Sequence, residues 1–96
     1  MNSYSISKQP AQISLELAKR LALIRKQEGF SQAELAKRSG VSLGSLRRFE
    51  QSGKISLEHL LFICQILGRL TEFDQLFQPI EDLAKLEALF NQPLKE

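Results

Sequence analysis

The sequence predicts an all-α fold: a compact five-helix domain followed by a short additional C-terminal helix. Three observations carry this expectation. Apolar residues recur at intervals of three and four, as in Leu17, Leu21 and Ile24, or Leu46 and Phe49. Serines stand where helices should start, at Ser31, Ser42 and Ser56, and glycines where they should stop, at Gly29, Gly40, Gly53 and Gly68. A chain of 96 residues has the length of one domain; at this size folding buries roughly 60–65% of the unfolded surface.

Composition narrows the class. Apolar and charged fractions are those of an ordinary globular protein. There is no run of about 18 apolar residues, so no membrane span is expected. The N-terminal MNSYSISKQPAQ lacks an apolar centre and does not read as a secretory signal. A single cysteine excludes an internal disulfide and suits a reducing cytoplasm, the expected location, with Cys64 as a small buried apolar residue. Charge is divided along the chain: residues 1–54 hold ten Lys/Arg against four Asp/Glu, and residues 55–96 hold three against seven. A basic half suits a phosphate-bearing partner.

Residues 1–13 read as a flexible arm, in which Pro10 discourages early helix, Tyr4 and Ile6 could pack on a partner, and Lys8 could touch DNA. The first helix is expected over 14–28, with Leu17, Leu21 and Ile24 as its stripe and Leu15 and Ala18 beside it. The second begins at the cap Ser31, with Glu34 completing a capping box and Phe30 stapling onto Leu35. Gly40 ends it, and Val41 plugs the corner. Ser42 caps the third helix and Ser56 the fourth, which spans about 56–67 and is apolar nearly all round. Thr71 opens a short fifth helix with Phe73, Leu76 and Phe77 along one side, broken by Pro79. A sixth is expected over 80–91, with Leu83, Leu86, Leu89 and Phe90 as its stripe and Gln92-Pro93 as its stop.

The third helix has an unusual outward face. At about 100° per residue, with Leu46 and Phe49 inward, the opposite side collects Gly44, Arg47, Arg48 and Gln51, with Leu43 at its edge. Two arginines, a carboxamide and bare backbone make a poor interior and a good groove-reading surface. Arg can fork onto guanine and Gln onto adenine. An outward glycine fits a backbone that must approach something closely, although the first turn of a helix also tolerates one. Leu43 could touch a thymine methyl or tuck into the core.

The joint spacing resembles the helix-turn-helix of the Cro and phage-repressor family, often called Xre. The residues that carry the likeness are Gln32 opening the second helix, Leu35-Ala36, Gly40 and Val41 at the turn, Leu46 and Phe49 inward, Glu50 near the end, and Arg25 late in the first helix. The likeness covers about 14–77, with the motif at 32–51, which leaves 78–96 as C-terminal helix and tail. Leu43 is more often polar in the family, and Gly44 leaves one base-reading position without a side chain. The resemblance implies a sequence-specific DNA-binding regulator, expected to be a repressor acting as a homodimer on a palindromic operator. Arg47, Arg48 and Gln51 would read bases, Gln32 and Ser42 would position the backbone, and Arg25 would pair with Glu50.

The phrases LRRFE, GKISLE and TEFDQLF further resemble small regulators encoded beside Hip-type toxin kinases. That implies an alternative: an antitoxin that binds a partner kinase and regulates its own operon. An enzyme has little support. The chain shows no phosphate-binding glycine loop, no metal-ligand cluster and no nucleophile-base set, and the lone His59 reads as a surface residue. Neither a cofactor nor a metal is expected.

Overall fold

The computed structural model describes residues 8–79 and 83–91. Five α-helices are present among them: α1 (Pro10–Gln27), α2 (Gln32–Ser39), α3 (Leu43–Ser52), α4 (Leu57–Ile66) and α5 (Leu83–Asn91). A 3-10 helix, Leu70–Gln75, lies between α4 and α5. The expectations for Tyr4, Ile6, Ile80 and Gln92-Pro93 lie outside the described residues, as do those for the Leu83 and Leu86 side chains.

Helix α1 begins at Pro10, earlier than predicted, so residues 10–13 belong to the helix and not to an arm. Pro10 occupies the first turn, where its missing N–H would have had no intrahelical acceptor anyway. Gln12 Oε1 accepts from the Gln9 backbone N–H at 2.8 Å, which secures the start. Lys8, read as a possible DNA contact, pairs with Glu16 at 3.0 Å.

The caps of α2, α3 and α4 stand at the predicted serines. Ser31, Ser42 and Ser56 accept from the backbone N–H groups of Glu34, Ser45 and His59. The capping box at Ser31 is only half formed, because the Glu34 carboxylate turns to Arg38 Nε at 2.7 Å. Gly40 and Gly53 close α2 and α3 with φ of 80° and 81°. At Gly53 a second demand applies. A Cβ there would stand 2.7 Å from the backbone of Ser14 and Leu15, so the end of α3 rests directly on α1.

The core gathers around Leu35, Val41, Leu46, Phe49 and Ile63, with Ala18, Ala36 and Leu67. Burying each large side chain is worth about 1.5–3 kcal/mol. Leu21, Ile24, Phe30, Ile55 and Leu60 pack against this centre from outside, and Leu43 joins them. Helix α1 meets the core through Ala18, which is fully buried, while Leu17 is 40% exposed. The predicted stripe is thus rotated toward Ala18. The small side chain lets α1 come close to α3, and the larger leucine is left at the rim.

The segment after α4 departs from prediction. It is a 3-10 turn and not an α-helix, and it ends at Leu76 in extended backbone. Phe77 follows with φ of 55° and is 94% exposed, so it does not share a buried side with Phe73. Helix α4 is buried at Ile63 and Cys64 but leaves Leu57 and Phe62 exposed, so it is not central on all sides.

Candidate nucleic-acid interface

Helix α3 is held from behind. Its inward residues Leu46 and Phe49 are 1% and 2% exposed. Its C-terminal end is tied by Glu50, which reaches across to α1. Arg25 Nε donates to Glu50 Oε2 at 2.7 Å, and a second guanidinium N–H donates to Oε1 at 3.1 Å. The remaining arm of the guanidinium donates to the Phe30 carbonyl at 2.8 Å, just before α2. Gln32 Nε2 adds a bond to Glu50 Oε1 at 2.8 Å. One nearly buried fork thus fixes α1, the start of α2 and the end of α3 relative to one another.

The predicted site residues divide into two groups. Gly44, Arg47, Arg48 and Gln51 are all exposed on α3, and Ser42 is exposed at its cap. The side chains of Arg47, Arg48 and Gln51 have no hydrogen-bond or ion-pair partner among the described residues. Gln32 and Leu43 are half-buried. Gln32 spends one amide proton on Glu50, which aims its carboxamide, and Leu43 leans on the core. The Ser42 hydroxyl caps α3 and is bonded to the Ser45 hydroxyl at 2.9 Å.

Sequence reasoning missed the flank of α3. Ser45 and Arg48 share a shallow groove of about 260 Å³ with Lys54, Ile55, Ser56 and His59. Ser45 and Arg48 are three apart on one helix face, and Lys54 follows the Gly53 turn, so only their meeting with the start of α4 was out of reach. A second groove lies on the other side, where Lys19, Lys26 and Leu23 of α1 face Gln32, Glu50 and Gln51. Arg38 is neutralised locally by Glu34 and lies 4.9 Å over the Phe30 ring.

This arrangement puts unpaired guanidinium and amide groups on one convex helix, flanked by lysines. Such a surface can donate to base edges and phosphates. Among the described residues no His, Cys, Asp and Glu cluster could hold a metal ion. Nor is any described helix long and apolar enough to cross a membrane.

A family model described as helix-turn-helix, of the Xre, Cro and CI type, matches residues 21–73. The chain belongs to that family. This helix-turn-helix protein is accordingly a DNA-binding transcription regulator, from a family that is regulatory and generally not enzymatic. The matched span opens at Leu21 on α1 and runs through α2, α3 and α4 to Phe73. No curated protein and no solved structure gives a significant match.

Proposed function

We propose that the protein is a repressor that binds a palindromic operator as a homodimer, with α3 of each copy in the major groove. One observation carries the reading. The Arg47, Arg48 and Gln51 side chains are exposed and have no partner among the described residues, while Leu46 and Phe49, which seat α3 on the core, face the other way. In this reading Arg47, Arg48 and Gln51 contact base edges. Gly44 lets the α3 backbone approach the duplex. Gln32, Ser42 and Lys54 position phosphates, and Leu43 contributes the edge of its side chain. Two such helices would reach half-sites about 34 Å apart, one turn of DNA.

Selection of bound duplexes from a random pool, at a stated salt concentration, tests this. The expected result is an enriched inverted repeat. A pool that does not enrich, or that enriches an asymmetric site bound by one copy, overturns the operator model.

A second role, as an antitoxin toward a Hip-type kinase, draws on the LRRFE, GKISLE and TEFDQLF phrases. The openness of Phe77 at the end of the last phrase also favours it. A kinase co-purifying with the wild-type chain but not with Phe77→Glu would support that role. Equal recovery with both would count against Phe77 as the contact.

A further inference from the structure

The chain has a single histidine, and the fold sets it in a cationic groove. His59, in the first turn of α4, lines the shallow cleft of about 260 Å³ beside α3, together with Ser45, Arg48, Lys54 and Ser56. It is half-buried. Its ring centroid lies 6.3 Å from that of Phe62, within the range of an aromatic pair, which gives the imidazole a fixed neighbour on its own helix. The His59 backbone N–H is spent on the Ser56 cap. The imidazole has no hydrogen-bond or ion-pair partner among the described residues.

The charges around it all have one sign. Arg48 borders the groove from α3 and Lys54 from the turn after Gly53. No carboxylate lines the groove among the described residues. Glu58 precedes His59 on α4 but is exposed and outside the lining. Helix α2, which packs on α4, contributes no residue to the groove. Arginine and lysine keep their charge throughout the neutral range, so they attract an anion at any pH near neutrality. Histidine is the side chain whose charge ordinarily changes there. The groove thus combines two permanent cations with one conditional cation. Arg48 also stands on the exposed face of α3, so the groove is continuous with the reading surface. With α3 in a major groove, the anion that passes along its flank is a phosphodiester strand.

We propose that His59 is a proton-dependent phosphate ligand: its charged imidazole donates to a phosphodiester oxygen beside Lys54, so that binding of DNA takes up a proton. This rests on the reading that α3 enters the major groove, and adds to it a contact residue and a pH response. The proton comes from solvent and sits on a ring nitrogen; no covalent bond changes. A nearby anion favours the charged form of an imidazole, so protonation and DNA binding strengthen each other. Hydrogen bonds with one ionised partner are strong ones. Phosphate contacts carry no sequence information, so the response does not require the operator.

The test uses the full chain and a duplex of random sequence, titrated by fluorescence anisotropy at several salt concentrations. Wild type is expected to bind on the order of tenfold more tightly at about pH 5.5 than at about pH 8. The slope of log affinity against log salt should be steeper at the lower pH by about 0.9, the value of one added phosphate contact. His59→Gln should bind at one weak level across the range, and His59→Arg at one strong level with the steep salt slope throughout. Both should keep the circular dichroism of wild type. Arg47→Ala, outside the groove, should bind more weakly and retain the pH response. A flat response in wild type, a response that persists in His59→Gln, or equal salt slopes at the two pH values would each overturn the proposal and leave the placement of α3 standing. A chain that binds no duplex at either pH would defeat both. A pH response that depends on His59, in a chain that enriches no inverted repeat, would support this contact and defeat the operator reading alone.

Discussion

Arg25 grips Glu50 with two of its guanidinium nitrogens, at 2.7 and 3.1 Å, where the two side chains are only 8% and 10% exposed. The neighbouring Lys26 is on the same turn of α1 and is exposed. A buried pair contributes little net stability when intact, because removing both charges from water costs about as much as their attraction returns. Removing one partner is different, because it strands the other. Arg25→Ala is expected to lower stability by about 3–5 kcal/mol, whereas Lys26→Ala should change it by no more than about 0.5 kcal/mol. Urea titration of the two variants checks this, and equal midpoints would contradict it.

Arg47→Ala and Arg48→Ala should leave the fold intact, since both side chains are exposed and have no partner among the described residues. Each should weaken operator binding. An arginine that reads a base should cost about 1–3 kcal/mol and relax preference at one position; one on a phosphate should weaken all sequences alike and reduce the salt slope by about one. Titration of cognate and scrambled duplexes at several salt concentrations separates these. No loss in either variant would remove this face from consideration.

Gly44 and Gly53 should respond oppositely to alanine. Gly44 has open space around its Cβ position, so Gly44→Ala should raise thermal stability, by up to about 1 kcal/mol. It should nevertheless weaken DNA binding if the backbone approaches the duplex there. Gly53→Ala combines a left-handed φ of 81° with a Cβ 2.7 Å from the Ser14 and Leu15 backbone. Either the α1–α3 contact opens or the turn changes, and a loss of several kcal/mol is expected, in the range seen for overpacking plus backbone strain. Calorimetry on the pair reads both signs.

Burial pushes the Cys64 thiol above its ordinary pKa, with Glu72 adding to the rise and Arg69 opposing it. The folded state therefore holds the proton more firmly than the unfolded chain does. That contribution is whole below the unfolded value of about 8.5 and is lost as pH climbs through it toward the folded value. Wild type should lose stability faster than Cys64→Ala over this alkaline range, by at most about 1.4 kcal/mol per pH unit. Parallel stability curves for the two proteins would show that the thiol does not titrate differently on unfolding.

What could be read from residues alone was mostly local chemistry. Ser31, Ser42 and Ser56 cap helices because a hydroxyl can reach the backbone two or three residues on, whatever the rest of the chain does. The outward set Arg47, Arg48 and Gln51 followed from helix periodicity once Leu46 and Phe49 were turned inward. The errors arose where distant segments decide. Ala18, and not Leu17, faces the centre because the close passage of α1 over α3 favours the smaller side chain. Gln32 bonds Glu50 across two helices, and the meeting of Lys54 with His59 depends on how α4 sits beside α3. The 3-10 geometry at Leu70–Gln75 likewise has no counterpart in the apolar spacing of that stretch.

The frame that orients α3 makes no use of its outward side chains. The Arg25 fork, the Ser42 cap and the bare Cα at Gly53 hold it in place, while Arg47, Arg48 and Gln51 project away from all of them. The reading head and the chassis are therefore separable parts. If those three positions read bases as proposed, rewriting them should retarget the protein to another sequence without a toll on its folding.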